Sequence, residues 1–437
     1  MDSTSQTAIV CGGNPLFGVV TPIPNKNFIV AALPASILTD KDVTYKNVPR
    51  STDVLMILEM ITLLGGVCTW LGDSSVTVNC SKVNSYTVDK VLGNKIRASL
   101  LFVGPLLARF GKAKIPVPGG CVLGRRSISA HIDVFSKLGI KIDVQNDFAT
   151  FTRPKKIIKN IKIWQNEASP TATENFELYC AGTSGEFQLT DAACEPHAGD
   201  LLDLLLAMGA KISGRGSNKI TVGGGNLKGA TFTSSPDFVD IGGFIVAAAV
   251  TKGKITIKGG NIPYVAGMID WFTKFGIKIT AINKDLIVDG VCELKIDLVN
   301  SGFPMAGENL PKFIPRPWPG FPVDVLPPIV TLACKTSGNL LVNNWMYETG
   351  MEYCHALNTM GAKIRILDSQ KVIVSGPCKF TGGEVTTPDV IQACKTIFLA
   401  SLADTATTTI HGFNILKRRY PDIVSTYKNL GAEIKIL

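Results

Sequence analysis

The sequence predicts an α/β protein of two domains, each assembled from three copies of one helix–strand–strand unit. Three observations carry this expectation: a length of 437 residues, a sixfold internal repeat, and a hydrophobic content of 46%. The length exceeds one ordinary domain and suits two of about 200 residues. The apolar content is enough for large cores and excludes a disordered chain.

The repeat sets the architecture. The segments TLLGGVCTWLGDSSVTV, SKLGIKIDVQNDFATF, LAMGAKISGRGSNKITV, TKFGIKITAINKDLIV, NTMGAKIRILDSQKVIV and KNLGAEIKIL share one grammar. An amphipathic helix ends in Leu, Met or Phe, and a glycine follows where the helix terminus favours a positive φ. An alternating strand then begins, as in Ile140-Lys141-Ile142, and a polar turn with a second β-branched strand completes most copies. The six glycines are Gly65, Gly139, Gly209, Gly276, Gly361 and Gly431. They recur roughly every 70 residues, too long a period for a leucine-rich solenoid. Each sheet needs its helix to bury one face, so three units with helices packed inward make one domain. The stretch SSPDF (234–238) is the expected crossover. This places one domain over 26–235 and the other over 236–437, with residues 1–25 pairing back onto that second half.

Composition narrows the function. The formal charge is +9, from 44 Lys and Arg against 35 Asp and Glu, which suits an anionic partner. There is neither a basic tail nor an RNP-like aromatic motif, so small phosphorylated ligands fit better than nucleic acid. Eleven cysteines include no C-x-x-C, and the four histidines include no H-x-x-x-H; no metal site or other cofactor is expected. Scattered thiols fit a reducing cytoplasm. No apolar run approaches the roughly 20 residues of a membrane helix, and GFIVAAAV (243–250) reads as core. The first basic residue is Lys26, so no signal peptide and no membrane insertion are expected. P-loop, G-x-S-x-G and H-E-x-x-H patterns are absent, and Gly214-Arg215-Gly216 reads as a hairpin turn.

Charge coincides with glycine or proline in four places. Lys26 stands just before the apolar run FIVAALPAS, with Asn25 or Asn27 able to cap that helix. A cation at a helix N-terminus is unfavourable unless an anion compensates it; a solvated lysine is the plain alternative. In the stretch 94–111 Arg97 similarly precedes a long apolar helix, whereas Arg109, which ends it, suits the helix dipole. The third place is GPLLARFGKAKIPVPGGCVLGRRS (104–127), where Lys112, Lys114, Arg125 and Arg126 surround Cys121. Such a field favours a thiolate, or a thiol ready to protonate an anionic substrate. The fourth is the pair PWPGFPVDVLPP (317–328) and KRRYPD (417–422): Asp324 is a turn former or a positioned base, beside a cluster of three cations.

Together NKN (25–27), NVPRSTDV (47–54), IRASLLFVGPLLARFG (96–111), PGGCVLGRRS (118–127), MGAKISGRG (208–216), GFPVD (320–324) and KRRY (417–420) resemble the enolpyruvyl transferases. The likeness is greatest to the branch acting on UDP-N-acetylglucosamine in peptidoglycan synthesis. The resemblance implies a two-domain inside-out α/β barrel with six βαβαββ units, three per domain, and an active site in the cleft between domains. It implies phosphoenolpyruvate and a nucleotide or nucleotide-sugar acceptor as substrates, with no cofactor. Cys121 matches the loop cysteine that donates a proton to the enol methylene and that the epoxide phosphonate fosfomycin alkylates. Asp324 matches the aspartate that takes the acceptor's hydroxyl proton, and Lys26 is the third catalytic residue. Asn27, Arg97, Arg126, Arg418, Ser169 and Met346 fall at substrate-binding positions.

The chain departs from the family's pattern on the nucleotide-sugar side. Ser127-Ile128-Ser129 replaces a run with proline and then an acidic residue. Glu167-Ala168-Ser169-Pro170-Thr171 stands where K-x-S-V-G is usual, and Ile391 stands where arginine is expected. A relative that enolpyruvylates another hydroxyl acceptor, such as a nucleoside monophosphate, is the second reading. A catalytically silent nucleotide-binding paralogue is the third, and the joint retention of Lys26, Cys121, Arg126, Asp324 and Arg418 speaks against it.

Overall fold

The computed structural model of the chain describes residues 6–117, 128–145, 147–299, 302–307 and 309–437. These form two compact units, one of described residues 24–235 and the other of 6–23 with 236–437. Each unit carries three small sheets, all mixed except the antiparallel sheet of Lys112–Pro116, Phe148–Thr152 and Lys141–Gln145. All six repeat glycines follow a helix end and have φ between +78° and +105°. Beyond each comes the expected alternating strand: Val67–Trp70, Lys141–Gln145, Lys211–Ser213, Lys278–Ile282, Ile364–Ile366 and Glu433–Ile436.

One stretch shows the whole βαβαββ unit. Strand Ile161–Trp164 leads through helix Pro170–Ala181 to the parallel strand Gly185–Thr190. Helix Pro196–Ala207 then leads to the hairpin Lys211–Ser213 and Lys219–Gly224, which closes antiparallel on Gly185–Thr190. Its turn contains Gly214-Arg215-Gly216, and Arg215 bonds Asp203, so this glycine pair is a hairpin, as the sequence predicts. The N-terminal strands complete sheets of the second unit. Thr7–Cys11 lies between Thr407–His411 and Glu433–Ile436, and Phe17–Val20 pairs with Lys254–Ile257.

The helices carry the cores and the sheets lie outside them. All thirteen residues of helix Phe238–Val250 are buried, as are nine of the ten in Leu326–Lys335, and Ile391–Ala403 packs against both. In the other unit, ten of the twelve residues in Pro170–Ala181 are buried. There Gly104 permits a close helix crossing, since a Cβ would sit 2.6 Å from the Asn175 carbonyl oxygen.

The helix expected between Arg97 and Arg109 comes in two parts. Helix Lys90–Lys95 stops at Ile96, whose backbone is extended. A 3-10 segment, Arg97–Phe102, follows, and an α-helix resumes over Val103–Phe110. Pro105 has no N–H to give, and the Gly104 N–H is taken by Asn175 Oδ1 at 2.8 Å. A continuous helical ladder therefore cannot cross this point. Among the described residues no helix is long and apolar enough to cross a membrane.

Candidate active site

In the unit of residues 24–235, Asn25 caps the helix Lys26–Ala32: its side chain accepts from the Phe28 N–H. Lys26 is the first helical residue and is 9% exposed, so it is not a solvated lysine. The anion that compensates it is the protein's own, for Lys26 Nζ lies 2.9 Å from Asp53 Oδ2. Asp53 sits in the first turn of Thr52–Leu63, where a carboxylate also suits the helix dipole. Asn27 follows, half-buried.

Arg97 opens its 3-10 segment half-buried, and that segment packs against the Lys26 helix. Behind it His131 is fully buried. The Asn175 amide donates to His131 Nδ1 at 3.0 Å and to the Leu100 carbonyl at 2.8 Å. That leaves the proton on Nε2, which reaches Thr171 Oγ1 at 3.1 Å. Burial first and the Arg97 charge second push His131 down to about 3, so the imidazole is neutral and the charge here stays on Arg97.

Ser169 caps helix Pro170–Ala181, its hydroxyl accepting from Ala172 at 3.5 Å, and Pro170 fills the first helical position. Lys112 and Lys114 lie on strand Lys112–Pro116, over the rings of Tyr86 and Phe148. Arg109 does more than complement a dipole: it donates to the Ile37 carbonyl and pairs with Asp40 at 2.9 Å. Cys121, Arg125, Arg126 and Ser127 lie outside the described residues.

In the unit of 6–23 and 236–437, Asp324 lies in a 3-10 turn, Val323–Val325, at the start of helix Leu326–Lys335. Its carboxylate is 31% exposed and lines a cavity of about 40 Å³ with Asn344, Tyr347, Glu352 and Gln392. Asn344 Oδ1 and Gln392 Oε1 are buried without a hydrogen-bond partner among the described residues, so both remain free to accept. Met346 is half-buried in the turn nearby. Arg418 ends the 3-10 segment Phe413–Arg418, half-buried.

The sequence reading passed over Arg419, the next residue. It is 2% exposed and grips Asp237 with Nε and Nη2, both at 2.9 Å, while Nη1 lies 3.8 Å from Asp324 Oδ2. Lys395 was passed over as well. Its amine is buried 4.0 Å from Asp240 among the rings of Tyr420, Tyr427, Phe244 and Phe398. Burial pulls it down to about 8, against the pull of Asp240, and burial raises Asp240 to about 6. The one sequence signal was the doubled arginine of KRRY. Adjacent residues at the end of a three-per-turn helix point about 120° apart, so the two arginines meet different surroundings.

The chain matches the family model described as EPSP synthase (3-phosphoshikimate 1-carboxyvinyltransferase) over residues 10–427. It is 34% identical over 428 residues to a UDP-N-acetylglucosamine 1-carboxyvinyltransferase of Bradyrhizobium diazoefficiens, covering 98% of this chain and 97% of that protein. The protein of that name from Treponema pallidum is 34% identical over 424 residues, covering 97% of each. Among solved structures, the enolpyruvyl transferase NikO from Streptomyces tendae superposes with a TM-score of 0.84 over 99% of both chains at 20% identity. EPSP synthase from Acinetobacter baumannii gives 0.73 at 18% identity, over 99% of this chain and 100% of that one. These two likenesses show the fold.

Proposed function

The chain belongs to the EPSP synthase family, whose members are carboxyvinyl transferases, and from that premise we propose that it moves the enolpyruvyl group of phosphoenolpyruvate to the 3-hydroxyl of UDP-N-acetylglucosamine, releasing phosphate. The observation that carries the assignment of the base is the placing of Asp324. Its carboxylate is part-exposed on a cavity wall with a guanidinium behind it, where it is open to a hydroxyl proton from an acceptor.

The chemistry is addition then elimination. Cys121 gives a proton to the methylene carbon of phosphoenolpyruvate, leaving cationic character on the neighbouring carbon. The acceptor oxygen bonds there as Asp324 takes its proton. The carbon–oxygen bond to phosphate then breaks, a methyl proton returns to the Cys121 thiolate, and the enol ether is restored. Lys26, Arg97, Arg126 and Arg418 are assigned to the carboxylate and phosphate, whose charge calls for several cations. Asn27, Ser169 and Met346 are assigned to the acceptor. Water must be kept from the cationic intermediate.

A second reading keeps the reaction and changes the acceptor to another hydroxyl compound such as a nucleoside monophosphate. The start of helix Pro170–Ala181 favours it. Pro170 there has no N–H to offer a diphosphate, and Glu167 is exposed just before it, where its charge repels one.

Phosphate release from phosphoenolpyruvate, measured with UDP-N-acetylglucosamine and with nucleoside monophosphates in parallel, separates the two. Turnover with the nucleotide sugar and a low Michaelis constant supports the first reading. Turnover with a monophosphate alone supports the second, and release with neither removes both.

A further inference from the structure

Arg419 has three nitrogens placed and only two of them spoken for. Asp237 holds Nε and Nη2 at 2.9 Å each. Asp237 is itself fixed: it is 0% exposed, caps helix Phe238–Val250 through the Val239 N–H at 2.9 Å, and donates its own N–H to the Ile23 carbonyl at 2.8 Å. A planar guanidinium held on one edge by a bidentate carboxylate has no freedom to swing. Its remaining nitrogen, Nη1, then lies at one place, 3.8 Å from Asp324 Oδ2. That is an ion-pair distance a few tenths of an ångström beyond a hydrogen bond. A small inward shift of Asp324 would close it.

We propose that Arg419 is a positioning residue for Asp324, relaying the rigidity of the Asp237-capped helix to the carboxylate that takes the acceptor's proton. The inference rests on the reading of Asp324 as the base. It assigns a task to a residue that the sequence comparison with the family did not mark, one place beyond Arg418. If Arg419 served only to neutralise Asp237, the two bonds already made would suffice. The third nitrogen instead faces the part-exposed carboxylate of Asp324. Arginine keeps its charge at every working pH. It therefore keeps a fixed positive charge beside Asp324.

Other charges surround the pair. Arg419 faces Asp324 from the end of the Phe413–Arg418 segment. Asp237 caps helix Phe238–Val250 and Asp240 lies in its first turn, while Lys395 on helix Ile391–Ala403 faces Asp240 at 4.0 Å. Glu352 lines the same cavity as Asp324. Removing Arg419 and Asp237 as a pair leaves the net charge of this group unchanged, so a loss of rate then reports the loss of the guanidinium next to Asp324.

The test is phosphate release by the full chain from about pH 5 to 9, for the wild type, Asp324→Asn, Arg419→Lys and the double variant Arg419→Met with Asp237→Asn. Asparagine still caps a helix, so the double variant leaves no buried charge unpaired. We expect it to keep the Michaelis constants within about twofold and to lose about tenfold or more in kcat. Arg419→Lys keeps the charge but not the fork, and it should lose kcat as well. A double variant with wild-type kcat overturns the proposal. If that variant does not fold, a wild-type kcat in Arg419→Lys overturns it instead. Asp324→Asn separates the two levels: if it turns over like wild type, the reading of Asp324 as base has failed and this proposal with it. If it is inactive while the Arg419 variants are normal, only the proposal has failed.

Discussion

Lys26 Nζ and Asp53 Oδ2 stand 2.9 Å apart with side chains 11% and 2% exposed, an ion pair at the starts of two helices. The anion this lysine holds is a carboxylate of the protein itself. Any substrate phosphate or carboxylate at Lys26 must share it with Asp53.

Lys26→Ala should therefore do two things. It strands a buried carboxylate, so stability falls by about 3 kcal/mol or more, as for other broken buried pairs. It also weakens phosphoenolpyruvate binding. The double variant Lys26→Met with Asp53→Asn removes the stranded charge and should melt closer to wild type while staying poor in binding. Thermal melts with a phosphoenolpyruvate titration check both. Wild-type affinity in the double variant would make the pair purely structural.

Glu177 should give stability a pH dependence. It is 1% exposed and neither carboxylate oxygen has a partner among the described residues. Burial, with Glu174 nearby, raises it well above the ordinary 4.5. A raised folded value means that the folded state holds a proton the unfolded state loses. Wild-type stability is thus intact below about pH 4.5 and falls as pH rises towards the folded value, by about 1.4 kcal/mol per unit. Glu177→Gln has no proton to lose. Its melting temperature should exceed the wild type's at pH 8 by clearly more than at pH 4.5. An equal difference at both values would mean that Glu177 ionises without cost.

Cys121 should be the site of alkylation by an epoxide phosphonate such as fosfomycin. Among the described thiols, Cys80 and Cys394 are buried and pushed up to about 12 by that burial. Cys378 runs the other way, held down at about 7 by a hydrogen bond from Cys334, but at 6% exposure it offers the epoxide no approach. Peptide mapping should find the adduct on Cys121 alone, and Cys121→Asp should resist the compound while retaining turnover. Modification of Cys378 instead would show that acidity outweighs access.

Much of the fold was legible because the six helix–glycine–strand junctions are local, and a positive φ after a helix end is written in one residue type. Cap chemistry was legible for the same reason, as with Asn25. The break of 94–111 was harder to see, because it depends on Asn175 reaching the Gly104 N–H from 71 positions away. The site divided along the same line. Asp324 and Arg418 stand in short motifs. Arg419, Lys395, His131 and the Lys26–Asp53 pair depend on which side of a helix faces inward and on partners distant in sequence. A run such as KRRY records charge but not burial.

The central claim is that this chain joins an enolpyruvyl group to a hydroxyl acceptor using Asp324 as the base. The most direct measurement is phosphate release from phosphoenolpyruvate with UDP-N-acetylglucosamine, with the product weighed by mass spectrometry, for wild type and Asp324→Asn. The account predicts phosphate in step with an acceptor heavier by one enolpyruvyl group, and a rate at least about 10²-fold lower in the variant. Phosphate release at the wild-type rate by Asp324→Asn, or phosphate appearing with no modified acceptor, would contradict it.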